Sequence, residues 1–240
     1  MTTVLPPFLP FGPAHLLAMI GVVLLAILLP ILTQALGPRI NRVIALMLAS
    51  LLVFNEVVFF FLDLFIYKLP LAASMPLQLC DIAALLTAYM LWRQSYRAFE
   101  IAWFWGIGGS VVAMLTPDLS IGYPHPLFIH FFVGHGIIML GVVHASVAYC
   151  YRPGLRTVGK AIIASIILML VVGSFNQLLD MNYMYLCAKP VQQTLMDYMG
   201  PWPWYLGSLV LAGSVVFAGC YLPFLLNQVW RNTAYRRTLK

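Results

Sequence analysis

Apolar runs near the length of a bilayer crossing follow one another along the chain, separated by short breaks rich in Pro, Gly and basic residues. A helix needs roughly 20 apolar residues to cross the hydrocarbon core. The pattern predicts seven such helices, at about 14–36, 42–66, 76–92, 98–115, 127–149, 158–179 and 204–226. The third is short and opens on Pro76, which suits a first helical turn because the N–H it lacks is unpaired there in any residue. The breaks carry Gly37-Pro38, Pro70, Pro117, Pro124, Pro126, Pro153-Gly154, Pro190 and Gly200-Pro201, the residues that punctuate helices. No linker or fixed-period repeat divides the chain. The expected fold is an all-α, polytopic bundle of seven transmembrane helices forming one domain over residues 1–240.

Composition agrees: 62% of residues are hydrophobic and 8% charged, against about a quarter charged in soluble domains. The net charge of +6 comes from short clusters between apolar runs, which points to membrane topology and leaves no nucleic-acid-binding patch. Arg39, Arg42, Arg93, Arg97, Arg152, Arg156, Lys160, Arg231, Arg236, Arg237 and Lys240 fall on one side of the predicted membrane, and only Lys68 and Lys189 on the other. Positive residues favour the cytoplasmic side, which puts the N-terminus outside and the C-terminus inside. Met1 to Pro13 carries no positive side chain and does not read as a cleaved signal. Cys80, Cys150, Cys187 and Cys220 fall singly, without the spacing of a disulfide framework or metal site. No metal or other cofactor is expected.

With that orientation, polar side chains collect toward the outer leaflet. Cys80 and Asp81 stand in the first turn of the third run, preceded by Gln78, and His130 and His135 lie one to two turns into the fifth. Asp63 closes the second run and Asn176, Gln177 and Asp180 the sixth; Asn182 and Tyr183 follow in a loop. Glu56 lies nearer the middle of the second run, seven residues from Asp63 and on the same helical face. Ionisable groups at such depth are costly and should face the bundle interior or a watery cavity. A cysteine at a helix start feels unpaired amides and the positive end of the helix dipole, which favour thiolate, and a histidine at a compatible depth could take its proton. Asp81 either opposes that ionisation or orients the imidazole. Against a catalytic role, a lone cysteine in an apolar helix is most often a small hydrophobe, and buried histidines also serve packing. The spacing of five between His130 and His135 does not stack them for a metal. His15 and His144 read as structural.

The segments Pro76-Leu-Gln-Leu-Cys80, Thr116-Pro117-Asp118, Gly134-His135-Gly136, Asn182-Tyr183-Met184-Tyr185-Leu186 and Gly200-Pro201-Trp202-Pro203-Trp204-Tyr205 resemble those of the bacterial YwaF-like integral membrane proteins. That family is similar to the eukaryotic transmembrane protein 164 lipid acyltransferases. The resemblance implies an acyltransferase or phospholipid acyl hydrolase in the bacterial cytoplasmic membrane, with Cys80 as nucleophile and His135, or else His130, as its partner. Its substrates would be a membrane phospholipid and, as acceptor, a lysophospholipid or water. Gln78, Asp81, Asn176, Asn182, Tyr183, Glu56 and Asp63 are candidates for orienting or lining the cavity by position only. A second reading is a seven-helix transporter or sensor that binds a small solute in the outer cavity and depends on Glu56 rather than Cys80. A third is a non-catalytic partner subunit, in which loop residues such as Trp202 and Tyr183 would matter instead.

Overall fold

The computed structural model describes residues 6–191 and 194–238, with side chains described only as far as residue 228 in the last helix. The residues Met1–Leu5, part of the N-terminal stretch read as no signal, and Lys240 of the C-terminal basic cluster lie outside the described residues. The helices are α1 (Pro13–Gln34), α2 (Pro38–Phe61), α3 (Leu71–Ser74), α4 (Leu79–Arg93), α5 (Tyr96–Trp103), α6 (Ser110–Leu115), α7 (Pro126–Ala148), α8 (Leu155–Leu179) and α9 (Trp204–Thr238). A π-helical turn, Leu62–Ile66, extends α2, and another, Phe104–Gly109, joins α5 to α6. Proline occupies the first turn of α1, α2 and α7. Away from their ends, helices satisfy their backbone groups within the segment, which an apolar solvent demands.

Among the described residues, six helical segments are long and apolar enough to cross a membrane: Pro13–Gln34, Pro38–Ile66, Tyr96–Leu115, Pro126–Ala148, Leu155–Leu179 and Trp204–Gln228. They coincide with six of the predicted runs to within a few residues. The remaining run forms α4, which is 15 residues long and spans only about 22 Å at 1.5 Å per residue. It starts at Leu79, so Pro76 lies outside it rather than in its first turn.

At the centre, α4 packs between α2 and α7, while α1 lies along α7 and α8 packs on α9 and α5. The contact faces are built from small residues: Ala45 and Ala49 of α2, Ala83, Ala84 and Ala88 of α4, and Ala145 of α7 are buried. Small side chains let helix backbones approach where apolar surroundings provide no hydrophobic drive. A Cβ on Gly141 would lie 2.8 Å from Thr87 Cγ2, and one on Gly106 would lie 3.1 Å from Ile138 Cγ2. Large apolar side chains point outward instead, as with Leu17, Ile20, Leu24, Ile27 and Ile31 of α1, a face suited to lipid.

Three contacts fix helix directions. Asn41 of α2 accepts from His144 Nε2 at 3.1 Å, and Phe59 further along α2 stacks on His130 with ring centroids 3.6 Å apart. Thus α2 and α7 are antiparallel. Arg42 donates to the carbonyls of Leu91 (2.8 Å) and Trp92 (2.7 Å) at the end of α4, so α2 and α4 are antiparallel too, and α4 runs parallel to α7. At this Arg42 end, Lys160 of α8 also binds both oxygens of the buried Glu100 of α5 at 2.7 Å. Arg42 serves as a cationic cap on orphan carbonyls. Arg42→Ala is expected to cost about 1.5–3 kcal/mol, the range for bonds to a charged donor, read as a lowered midpoint of thermal unfolding in detergent. An unchanged midpoint would show that the cap adds nothing.

Candidate active site

The start of α4 is held by its own third residue. Asp81 Oδ2 accepts the backbone N–H of Gln78 at 2.9 Å, satisfying the group just before the helix. Its other oxygen, Oδ1, accepts from the Cys80 thiol at 3.4 Å. Helix geometry leaves the amides of Leu79, Cys80 and Asp81 without intrahelical acceptors, gathered beside that thiol. Gln78 Oε1 in turn accepts the N–H of Met184 at 2.8 Å, which ties the Asn182–Leu186 loop to the helix that bears Cys80.

Helix register shows what shares this level. Thr87 and Leu91 of α4 meet Gly141 of α7. Seven residues back along both parallel helices, nearly two turns and therefore the same face, stand Cys80 and Gly134. On α2, Asn55 abuts Gly134, where a Cβ would be 2.9 Å from Asn55 Nδ2, and the neighbouring Glu56 carboxyl is within electrostatic reach of Asp81 and Cys80. Asp63, in the π turn after α2, acts on Asp81 from farther along the chain. Cys80, Asp81, Glu56 and His135 therefore occupy one layer of the bundle.

The two histidines part company within it. His130 faces α2 and stacks on Phe59, with Nδ1 buried and unpartnered. His135 is buried, and its Nδ1 lies 2.7 Å from the Phe131 carbonyl of its own helix. That contact requires a hydrogen on Nδ1, so Nε2 is the basic nitrogen. Among the described residues no hydrogen bond joins Cys80 to His135. His15 is buried with both nitrogens engaged, by Phe11 N–H at 2.9 Å and by the Met114 carbonyl at 2.7 Å, the structural role expected of it. His144 is buried on its bond to Asn41.

The loop after α8 returns over this end. Asn176 is buried and spends both polar atoms on Tyr183, accepting its N–H and donating to its carbonyl, each at 2.9 Å. Asn182 accepts from Cys187 and Ala188 N–H at 2.9 and 3.1 Å and donates to the Ala188 carbonyl. The Tyr183 hydroxyl reaches the Ala72 carbonyl at 2.6 Å. Tyr185, within electrostatic reach of Cys80, donates to Asp118 Oδ2 at 2.5 Å, and its carbonyl accepts from the Tyr205 hydroxyl at 2.5 Å. Met184 and Tyr185 both adopt positive φ, 56° and 53°, a region that side-chain-bearing residues rarely occupy. The sequence marked these loop residues but not the pairing of Tyr185 with Asp118, which lie 67 positions apart. Their shared place among outer polar segments was the available signal.

Burial, reinforced by the bond to Asp118, holds the Tyr185 phenol above the usual tyrosine range. Because the folded value is raised, this contribution to loop stability is fully present below the ordinary tyrosine value of about 10 and is lost as pH rises beyond it. Protease cleavage between residues 182 and 191 is expected to rise above about pH 10 in the wild type. In Tyr185→Phe it should already be raised at neutral pH. Equal cleavage of both proteins at neutral pH would remove the hydroxyl from the account.

Among the described residues no group of three or more His, Cys, Asp or Glu side chains could hold a metal ion. The helices, their apolar outer faces and a polar layer enclosed between them define an integral, polytopic helical membrane protein. A family model matches residues 10–221, and the chain belongs to the TMEM164 family. No curated protein and no solved structure matches the chain.

Proposed function

We propose that the protein is an intramembrane enzyme that moves fatty acyl groups from membrane phospholipid to a lysophospholipid or water, with Cys80 as nucleophile and His135 as general base. The observation that supports this most directly is the convergence of a helix-start thiol, two carboxyls and an imidazole with a free basic nitrogen in one layer of an apolar bundle. Thiol and imidazole suffice for acyl transfer through a thioester. The amides at the start of α4 suit the oxyanion, and such preorganised donors are worth several kcal/mol in a dry site. His135 Nε2 takes the proton of the acceptor hydroxyl that releases the acyl group.

In this reading all seven predicted helices belong to the membrane domain, α4 as the shortest. The N-terminus is outside and the basic end faces the cytoplasm of a bacterium. Lipid then enters from the outer leaflet, the side of Cys80, Lys68 and Lys189. The experiment is intact mass after incubation with phospholipid vesicles. An acyl increment reversed by hydroxylamine is expected. No increment under quenched conditions, with unchanged lipid, would move the assignment to solute binding around Glu56.

A further inference from the structure

We propose that Asp81 takes the proton of the Cys80 thiol as the thioester forms and returns it to the departing lysolipid oxygen, which leaves His135 to the second half-reaction. The inference rests on the reading of Cys80 as the acylated nucleophile and divides its proton chemistry between two bases.

The thiol already donates to Asp81 Oδ1 at 3.4 Å, and the carboxylate is locked from its other side by the Gln78 N–H at 2.9 Å. Gln78 is itself anchored to Met184 N–H. A base must reach the proton it abstracts, and Asp81 does so with no rearrangement. The rotation of α7 sets His135 to one side of the thiol, with its Nδ1 on the Phe131 carbonyl, so that it meets the acyl group rather than the S–H. Gly134 and Gly141 meet α2 and α4, whereas Ile138 lies against Gly106 and Met139 shares a cluster with Met114. At 100° per residue, His135 falls between the directions of Ile138 and Met139, on the side of the Tyr96–Leu115 segment.

The step balances. The S–H bond breaks as sulfur bonds to the ester carbonyl carbon, and the proton moves to Asp81. Collapse of the tetrahedral adduct breaks the ester C–O bond, and the alkoxide leaves with that proton. His135 Nε2 then deprotonates the acceptor hydroxyl as its oxygen attacks the thioester carbonyl, the C–S bond breaks, and the proton held by His135 passes to the departing sulfur, which restores the Cys80 thiol. Transfer is concerted with attack, because a free thiolate enclosed in the apolar bundle would be an unsolvated, unpaired charge. Among the described residues, the titratable groups facing Asp81 and Cys80 are Glu56 from α2, Asp63 from the π turn, and Tyr183 and Tyr185 from the loop, so each can modulate the pH profile.

The test uses the full chain in detergent with Cys150, Cys187 and Cys220 changed to Ser, and vesicles of dioleoyl phosphatidylcholine and phosphatidylethanolamine. Asp81→Asn keeps an acceptor for the Gln78 N–H but lacks the base. It is expected to slow acyl-enzyme formation by about 100-fold or more, the usual worth of a general base. Asp81→Glu should recover part of the rate, and His135→Ala should accumulate the adduct. Normal adduct formation in Asp81→Asn, with none in His135→Ala, would overturn the proposal.

A lipid-free measurement separates this from the function itself. Methyl methanethiosulfonate reacts with Cys80 at a rate expected to level off in the wild type once Asp81 is ionised. In Asp81→Asn it should climb about tenfold per pH unit, as for a thiol activated only by hydroxide. Identical pH slopes in the two proteins would overturn the role of Asp81, whereas a wild type that never acylates would overturn the acyl-transfer reading alone.

Discussion

Cys80→Ser is expected to carry no hydroxylamine-labile acyl adduct and to lose at least about 100-fold in acyl turnover. The thiol is the stronger nucleophile, and a serine hydroxyl depends far more on an adjacent base. The exchange changes little else: the hydroxyl can donate to Asp81 Oδ1 as the thiol does, and the Asp81 bond to Gln78 N–H that starts α4 is untouched. Its unfolding midpoint should therefore stay close to that of the wild type. Intact mass and thermal unfolding on the same preparation separate chemistry from folding. Full turnover in Cys80→Ser would exclude the thioester, and a matching loss in Glu56→Gln would then favour a solute or proton site.

Asn176→Leu should cause the largest loss of stability. Its side chain is the partner of both the N–H and the carbonyl of Tyr183, and the two residues are buried together. A leucine leaves that pair unmet, at about 1–3 kcal/mol for each orphaned group, or about 2–6 kcal/mol together. The same change frees the loop whose Met184 N–H holds Gln78, so lipid turnover should fall with the midpoint. Asn176→Asp keeps the acceptor for the N–H but turns an oxygen toward the carbonyl, and an intermediate midpoint is expected. Wild-type stability of Asn176→Leu would show that the loop is held by Tyr183–Ala72 and Tyr205–Tyr185 instead.

The sequence by itself determined the six long apolar segments, the separation of basic residues between chain breaks, and the unusual presence of Cys80, Asp81, Glu56 and His135 within apolar runs. Hydropathy, charge and helical rise are local, so they are readable along one dimension, and height within the bundle follows from them. The start of α4 was less legible. Pro76 is suited to a first turn, yet the Asp81 carboxylate draws the start to Leu79 by capping Gln78. Rotation about each helix axis was decided only by tertiary contacts between small residues, Gly141 on Thr87 and Gly134 on Asn55. Those contacts place Cys80 toward α7 and turn His135 toward the Tyr96–Leu115 segment. The fold of the Asn182–Leu186 loop over this layer was likewise set by bonds to Asn176, Gln78 and Asp118. Partners so far apart in sequence leave no periodic trace, because their pairing exists only after the helices have packed.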